Sequence, residues 1–476
     1  MQHLTWTGML GPILNPIFFM LVGVFILAVV AQIVLSFATS AEGSVNPDGT
    51  VATPQRLFDR ASMTARLVFL ALVGIILIYI IAGIVIQDPE KKGIVGSLAA
   101  QLLPTWIGLL VVFAASTFFK RKLGLYGKIF DSSIGMAGFA LVMFWVFTAI
   151  FADQITTHDV LGQIAPLKNK LPGVPMPDGT GWYLLGGDHL GRDVFSRMIE
   201  GSRVVIQIAP LATLFAFMVG ITLGLPAGYF GGKLDTGLSF LANMILAFPV
   251  ILLFYLLVTP EIVQSGLPQY LAMVLFLFPL IFLAVLLNSR YYVKPMLRNI
   301  MMLAVVVIGG WLYLSMVSDP DSKIAILPKS LDLVSVPGNI LIVFVSVVFV
   351  NAPTVFRIIR GIVLDIKTRD YVAAAQTRGE RPWYIMLWEI LPNARGPLIV
   401  DFCLRIGYTT ILLGTLGFFG LGLSPESPDW GSTINAGRKL MVIAQHPAIV
   451  PALALMSLVL GLNLLADGLR EESLKD

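Results

Sequence analysis

Long apolar stretches alternate with short polar connections along the whole chain. A helix needs about 20 apolar residues to cross the hydrocarbon core of a bilayer. Eleven stretches approach or exceed this length, at 12–38, 66–86, 97–119, 131–152, 203–228, 238–258, 270–288, 300–317, 338–356, 397–421 and 449–467. Several contain Gly or Pro, which membrane helices tolerate better than soluble helices do. The pattern predicts an all-α polytopic membrane protein.

The composition agrees with this prediction. Of the 476 residues, 57% are hydrophobic and 13% are charged, whereas a soluble domain carries about 25% charged residues. Cys403 is the single cysteine, which excludes an intramolecular disulfide, and four scattered His residues do not suggest a metal site. The first span lacks a positively charged start and its apolar core is long, so we expect that it is not a cleaved signal peptide.

Lys and Arg are concentrated in every second connection, which predicts the orientation in the membrane. Basic residues cluster at 56–66, 120–128, 290–298 and 357–381, whereas the first eleven residues contain none. Short basic connections face the cytoplasm. The N-terminus is therefore expected outside the membrane, and the C-terminus and the 357–381 connection inside.

The segment 369–393, RDYVAAAQTRGERPWYIMLWEILPN, is a polar island in this apolar chain. Ala373, Ala374 and Ala375 favour a slim helix, Gly379 permits a left-handed turn at its end, and Pro382 suits the first turn of a second helix. Two interpretations fit these residues: an amphipathic connector on the lipid surface, or a docking surface for a soluble partner. The chain contains no GxxxxGK[ST] sequence, so it does not hydrolyse ATP by the P-loop route.

Two predicted outside stretches carry candidate contacts. The first alternates charges at i, i+4 spacing, as in Asp188–Arg192 and Asp193–Arg197. It is either a solvated ion-pair network that orders the loop or a docking surface, and nothing beside it points to catalysis. The second holds Trp430 and Gly431 after the proline-rich 425–428 sequence. It is either simple loop geometry or the rim of a gate.

A few polar residues fall within predicted spans or beside them. Asp401 and Arg405 favour an interfacial ion pair near the cytoplasmic end of their span. Asn351, Asn243 and Asn463 either line a pathway or join helices by hydrogen bonds. For His189 and His446, which are far apart in the sequence, a place in loops is preferred to metal ligation.

The 369–393 segment resembles the EAA loop of ABC-importer permeases, a Glu-Ala-Ala triplet followed by Gly and, later, Ile-x-Leu-Pro. Ala373-Ala374-Ala375, Gly379 and Leu391-Pro392 hold the matching places. The chain departs from the pattern by Ala373 at the Glu position and Glu389 at the Ile position, which puts a Glu-dependent contact in doubt. In that family the loop is the coupling helix, which sits in a cleft of the ATPase subunit.

Further blocks resemble the dipeptide, oligopeptide and nickel subfamily, in the same order. They are LLGGDHLGRDVFSRMIEGSRVVI (184–206), GLPAGYFGGKLD (224–235), ILAFPVILL (245–253), GFFGLGLSPESPDWGSTINAGR (417–438) and NLLADGLRE (463–471). Together they are similar to the second (C-type) of the two permeases in such systems.

The resemblance implies a type I permease core of six spans and leaves five spans as additions. We expect three extra N-terminal spans in 1–130, the first part of the core in 131–260 with an outside loop at 153–202, an inserted helix pair in 261–335, and the second part of the core in 336–476. The spans 238–258 and 397–421 are the predicted pathway walls. The role of the extra spans stays open.

The resemblance also implies a function: import of di- or oligopeptides or a related small solute across a bacterial or archaeal cytoplasmic membrane, by alternating access. The implied partners are a homologous second permease, one or two ATPase subunits that use ATP and Mg, and an extracytoplasmic binding protein. No catalytic residue, metal or cofactor is expected on this chain. The implied ATPase-coupling residues are Tyr371, Ala373, Ala374, Ala375, Arg378, Gly379, Glu380, Trp383, Leu391 and Pro392. The implied outside docking or gate residues are Asp188, Gly191, Arg192, Asp193, Arg197, Trp430 and Gly431.

Two other functions are compatible with a polytopic chain. An ion-coupled secondary transporter would need intramembrane carboxylates and often shows internal repeats, and the core spans offer few such carboxylates. A non-transport scaffold with a permease-like core would associate with neither an ATPase nor a second permease.

Overall fold

The computed structural model describes residues 2–42, 53–318, 328–331, 338–421 and 426–473, and most of these are helical. The only strands among them, β1 (Val174–Pro175) and β2 (Trp182–Tyr183), form an antiparallel hairpin in which Val174 pairs with Tyr183. Pro425 of the proline-rich 425–428 sequence lies outside the described residues.

Most of the helices follow one another with short connections, but the long segment 156–193 separates α7 from α8. The N-terminal region contains α1 (Gly11–Glu42), α2 (Thr53–Val85), α3 (Pro89–Gln101), α4 (Leu103–Phe119) and α5 (Leu125–Lys128). The first part of the core contains α6 (Ser133–Ile150), α7 (Ala152–Ile155), α8 (Val194–Phe230), α9 (Gly232–Leu246) and α10 (Val250–Val258). The inserted region contains α11 (Pro260–Gln264), α12 (Leu267–Leu275), α13 (Leu277–Arg290), α14 (Pro295–Ala304) and α15 (Gly310–Val317). The second part contains α16 (Gly338–Ile366), α17 (Asp370–Thr377), α18 (Pro382–Tyr384), α19 (Leu391–Asn393), α20 (Arg395–Phe418), α21 (Trp430–Arg438) and α22 (His446–Ser473).

The described helices account for the predicted spans, one of them as a bent pair. Ten are long and apolar enough to cross a membrane, and a bent pair, α9 with α10, makes up to eleven. The span predicted at 238–258 falls on these two helices, which meet at 83°. Pro249 lies in the break; it lacks a backbone N–H and disfavours helical geometry at the residue before it.

The chain forms two compact units, of which the first comprises residues 1–107 and 157–195. Here the N-terminal segment is tied to the outside loop, since Leu4 N donates to Gly173 O at 2.9 Å. Ile94 N donates to Thr5 O at 2.9 Å, and Leu4, Ile94 and Leu184 share one buried apolar cluster. The added N-terminal region therefore helps to build the structure of the outside loop.

The second unit comprises residues 108–156 and 196–476, and glycines set the distance between its helices. Gly220, Gly224 and Gly228 of α8 face β-branched residues of α16. A Cβ on Gly224 would lie 2.9 Å from the Cβ of Ile359, and one on Gly228 would lie 2.8 Å from the Cβ of Val363. Small residues four apart let membrane helices approach closely, so α8 and α16 pack as a tight pair.

The first and last core helices cross in the same way. A Cβ on Gly138 of α6 would lie 2.7 Å from the carbonyl oxygen of Gly461 in α22. Near the other end of the crossing, a Cβ on Gly468 would lie 2.4 Å from the Cα of Gly135. The two backbones are in direct contact at these points, which leaves no room for larger residues.

Candidate functional site

The short helix α17 within 369–393 ends in a glycine cap. Gly379 has φ +75, its N–H donates to Gln376 O at 2.9 Å, and Glu380 N donates to Ala375 O at 3.2 Å. This pair of bonds is the Schellman motif, which satisfies the last carbonyls of a helix and favours Gly at the left-handed position. The predicted turn at Gly379 is therefore present, and it redirects the chain toward α18.

Helix α17 has one buried face and one exposed face. Val372 and Ala375 are each 0% exposed, whereas Tyr371, Ala373 and Ala374 are exposed. This corrects one member of the predicted coupling set: the Ala375 side chain faces the interior because it lies three residues after Val372, on the same side of the helix. The other side of α17 exposes Tyr371 beside the small side chains of Ala373 and Ala374.

The second half of the 369–393 segment is more deeply buried than α17. A π-helix runs over Ile385–Ile390, and Ile385, Met386 and Leu387 share one apolar cluster with Val355 and Ile359 of α16. Met386 and Leu387 therefore face inward and do not belong to an exposed apolar surface. Of the remaining predicted coupling residues, Arg378, Trp383 and Pro392 are exposed, and Glu380 and Leu391 are half-buried.

Arg378 braces the helix end against the following segment. Its Nη2 lies 3.0 Å from Glu389 Oε1, and its Nε lies 3.9 Å from Glu380 Oε1. Glu389 is the residue that departs from the Ile position of the EAA pattern, and the structure gives it this role. Because the Arg378 side chain is more than half exposed, the pair contributes little to stability and mainly orients the turn.

One polar contact joins the 369–393 segment to the end of α8, and two others join α16 and the residue that follows it to α8 and α9. Gln376 Nε2 donates to Tyr229 Oη at 3.2 Å, and Lys367 Nζ donates to Gly228 O at 2.9 Å. Arg360 and Asp235 form a two-bond ion pair, with Nη2 2.7 Å from Oδ2. The sequence interpretation assigned no role to these residues, although the 224–235 block contains three of them, and opposite charges beside spans are a signal for such pairs.

An open groove of about 580 Å³ lies beside the start of α17. Its lining combines the end of α16 with the connection before α20 and includes Gly361, Asp365, Arg369, Tyr371, Asn393 and Pro397. Tyr371, one of the predicted coupling residues, therefore forms part of a concave surface, which is the shape a protruding partner element fits.

The charges of the predicted outside stretch are buried, which corrects the alternative of a solvated ion-pair network. Asp188 is 2% exposed and Arg192 is 4% exposed, with Arg192 Nε 2.7 Å from Asp188 Oδ2. Asp188 Oδ1 also accepts from the backbone N–H of Leu190 at 2.8 Å and of Arg192 at 2.9 Å. The pair closes a turn before α8 and does not brace a helix, so these side chains do not present a docking surface.

Gly191 and Asp193 complete this turn. Gly191 has φ +79, and a Cβ there would lie 2.2 Å from Ile164 O, so only glycine fits. Asp193 is 0% exposed. Its Oδ2 accepts from Thr157 Oγ1 at 3.1 Å and its Oδ1 from Phe195 N at 3.3 Å, which fixes the start of α8.

Arg197, Trp430 and Gly431 meet inside the second unit. Arg197 Nη2 donates to Ser427 O at 2.8 Å, and Trp430 Nε1 donates to Met198 O at 2.9 Å. A Cβ on Gly431 would lie 2.1 Å from Gly414 O. Trp430 is 1% exposed, so it is not a side chain on an open rim. These contacts fasten the start of α21 to the outer end of α8.

Some of the polar residues within spans form contacts between side chains. Arg405 Nε lies 2.7 Å from Asp401 Oδ2, so the predicted ion pair is present. Asn351 Nδ2 donates to Thr409 Oγ1 at 3.3 Å, and Thr409 Oγ1 lies 3.2 Å from Thr213 Oγ1. Asn351 thus joins helices α8, α16 and α20. Asn243 is exposed and Asn463 is half-buried.

Among the described residues, no group of three or more His, Cys, Asp or Glu side chains is arranged to hold a metal ion.

A core of membrane-spanning helices that carries a short, glycine-capped helix with one exposed face is the arrangement that the sequence resemblance leads us to expect of a transport permease. The profile of the family described as "Binding-protein-dependent transport system inner membrane component" matches residues 220–471, more than half of the chain. The protein belongs to this family.

Curated relatives agree with the family. The chain is 30% identical over 295 residues to a glutathione transport system permease protein, GsiD, of Pectobacterium atrosepticum, covering 62% of this chain and 72% of the relative. It is 27% identical over 340 residues to a dipeptide transport system permease protein, DppC, of Alkalihalophilus pseudofirmus, covering 71% and 85%. It is 28% identical over 336 residues to DppC of Haemophilus influenzae, covering 71% and 88%.

These matches confirm the predicted class, an all-helical polytopic permease of an ABC importer. Such a permease is a multi-pass protein of the inner membrane. Permeases of this kind are not themselves ATPases, and they work with ATPase and substrate-binding partners.

Proposed function

We propose that this protein is the second permease of an importer for di- or oligopeptides or a related small peptide-like solute. The relatives named for dipeptide and glutathione transport support that substrate class. The N-terminus lies outside, and the C-terminus and the 369–393 segment lie in the cytoplasm. A homologous second permease, an extracytoplasmic binding protein and one or two ATPase subunits complete the complex. The ATPase subunits use ATP and Mg.

The observation that carries the proposal is that α17 has one exposed face, while its other face anchors it to the core helices. Tyr371, Ala373 and Ala374 are exposed, while the opposite face is buried against the core cluster. The ATPase grips the exposed face, together with Arg378, Gly379, Glu380, Trp383 and Pro392. Because Ala373 stands where the family pattern has Glu, ATPase binding depends on the shape of α17 and on the turn at Gly379. Closure of the ATPases moves α17 and reorients the core helices between two arrangements.

Substitutions at Gly379 test this proposal. A Cβ there meets nothing within 4 Å in the chain itself, but φ is +75. Asn, which tolerates left-handed geometry, should bind the ATPase like wild type. Ala should bind more weakly, because left-handed geometry costs about 1–2 kcal/mol. Gly379→Glu should abolish binding by placing a charged side chain in the partner's space. The measurement is quantitative capture of the ATPase from membranes.

Membrane fractionation of each variant is the control, since all should insert normally. Normal capture of the ATPase by Gly379→Glu would contradict the assignment of the coupling helix. Uptake in vesicles depleted of ATP provides the independent check: uptake that persists on an ion gradient would identify a secondary transporter instead.

A further inference from the structure

The inserted region contacts the coupling segment at its second half. Phe282, Val285 and Leu286 of α13 pack against the apolar cluster that contains Ile385 and Met386. None of the sequence blocks that carry the family resemblance lies in this inserted region. The contact is therefore an addition of this chain to the region that faces the ATPase.

Polar and aromatic contacts make this packing specific. Trp388 Nε1 donates to Ser289 Oγ at 3.0 Å, and the guanidinium of Arg290 lies over the Trp388 ring, 4.8 Å from its centroid. Two residues after Gly379 the relation is similar but reversed, since the guanidinium of Arg381 in the coupling segment lies over the ring of Tyr292, 3.7 Å from its centroid. Arg381 also donates to the Tyr292 hydroxyl.

These contacts surround an irregular piece of backbone. The π-helix Ile385–Ile390 lies between Arg381 and α20, and π segments are rare and frequently occur at functional sites. Arg381 is held just before it and Trp388 within it. The predicted cytoplasmic end of α13, with the residues that follow, thus holds the irregular part of the coupling segment.

We propose that the inserted helix pair is a brace for the coupling helix, with Ser289, Arg290 and Tyr292 as positioning residues. By fixing residues 381–390 in the free permease, the brace sets the direction in which the chain leaves Gly379 and so presents α17 in the geometry that the ATPase binds. Preorganisation of a binding segment raises affinity because less conformational entropy is lost when the segment docks. This inference rests on the proposed ATPase-coupling function of 369–393.

Variants of Tyr292 test the brace in the complete complex, in lipid nanodiscs. Tyr292 is 42% exposed, so its truncation leaves no buried cavity. Tyr292→Ala should weaken ATPase binding about two- to fivefold, the equivalent of one exposed cation–π contact. It should also increase amide hydrogen exchange in 381–390. Tyr292→Phe keeps the ring beneath Arg381 and should restore most of both properties.

The matched control is Tyr270→Ala, the same change in the same inserted pair at a residue that is 56% exposed and belongs to the other end of the pair. It should leave ATPase binding and exchange in 381–390 at wild-type values. A combined Ser289→Ala and Tyr292→Ala variant should exceed the effect of either change alone.

The outcomes separate the two proposals. If Gly379→Glu abolishes ATPase binding while the Tyr292 and combined variants bind and exchange like wild type, the brace is overturned and the coupling assignment stands. If Gly379→Glu binds normally, the coupling assignment itself fails. Equal effects of Tyr270→Ala and Tyr292→Ala would also overturn the brace, because they would reflect general loss of stability of the inserted pair.

Discussion

Asp429 begins helix α21 while being almost excluded from water. Its Oδ1 accepts from Ser432 N at 2.9 Å, and its Oδ2 has no hydrogen-bond partner among the described residues. Burial raises the pKa of this carboxyl above its usual value, although the Ser432 hydrogen bonds and the charge of Arg197 oppose the shift. The folded protein therefore holds a proton here more tightly than the unfolded chain does.

The sign of the pH dependence follows from that shift. A carboxyl whose folded pKa is raised makes the fold less stable as pH rises from the unfolded pKa through the folded one. Asp429→Asn cannot ionise and still caps the helix. It should be more stable than wild type by about 1 kcal/mol at pH 7.5 and no more stable at pH 4, measured as Tm in nanodiscs.

Asp429→Ala provides the contrast, because it removes the charge and the cap together. It should fall below Asp429→Asn by about 1 kcal/mol at both pH values. A Tm difference between wild type and Asp429→Asn that does not change with pH would contradict the buried-carboxyl interpretation.

At the scale of single residues, the sequence predicts which charged residues can pair better than it predicts how deeply they are buried. The alternation of Asp188, Arg192 and Asp193 indicated ion pairs, and Asp188–Arg192 is one. Their burial was not predictable, because it depends on backbone contacts from other parts of the same loop, such as Ile164 O beside Gly191. The inward direction of Ala375 likewise depends on which side of α17 meets α16.

The pairing of α8 with α16 is fixed by the glycines that face Val355, Ile359 and Val363. Gly224→Leu should force the helices apart and destabilise the protein by about 1–3 kcal/mol, the usual effect of overpacking. Gly361→Leu is the matched control, because a Cβ on Gly361 of α16 meets nothing within 4 Å. The measurement is thermal unfolding of both variants in nanodiscs.

An equal loss of stability in the two variants would show that the close approach of α8 to α16 is not what Gly224 provides. A greater loss of stability in Gly224→Leu than in Gly361→Leu would instead place the effect at the α8–α16 interface, since both substitutions add the same side chain to a membrane helix.

Hydropathy predicts which segments cross the membrane, because solvation by lipid depends on the segment's own composition. It does not predict how helices end or bend. The break at Pro249 was visible as a proline, yet membrane helices often continue through one, as α8 does at Pro210 and Pro226. The π-helix Ile385–Ile390 has no sequence signature of its own. The Gly220–Gly224–Gly228 spacing was a readable signal for close packing.

The orientation of the whole molecule is open to direct measurement. Cys403 is the only cysteine, so Cys403→Ala gives a background without thiols. In that background, His3→Cys should react with a membrane-impermeant maleimide in intact cells, because the first residues are predicted outside. Thr377→Cys, on the exposed side of α17, should react only after the membrane is permeabilised. Labelling of position 377 in intact cells would contradict both the orientation and the proposed ATPase contact.

At the scale of the molecule, the sequence predicted a six-span core with five additions, and the described helices accommodate that number of spans. What the additions do was not predictable, because their composition resembles that of any lipid-facing helix. The contacts of Ser289, Arg290 and Tyr292 with the coupling segment join residues about 90 positions apart in the chain, and no local pattern encodes such a pairing.

Helix α8 runs without interruption over 37 residues, about 55 Å at 1.5 Å per residue. Its outer end holds the start of α21 through Arg197 and Met198. Its inner end accepts the bonds of Lys367 and Gln376. Helix α8 therefore connects the two regions that are proposed to bind the two partners. Thermodynamic linkage applies to such a pair of sites: a ligand at one site that changes the affinity for the ATPase by some factor has its own affinity changed by the same factor. In the proposed orientation, the coupling between the binding protein and the ATPase can therefore be measured from one side, by titrating the ATPase in the presence and in the absence of the binding protein.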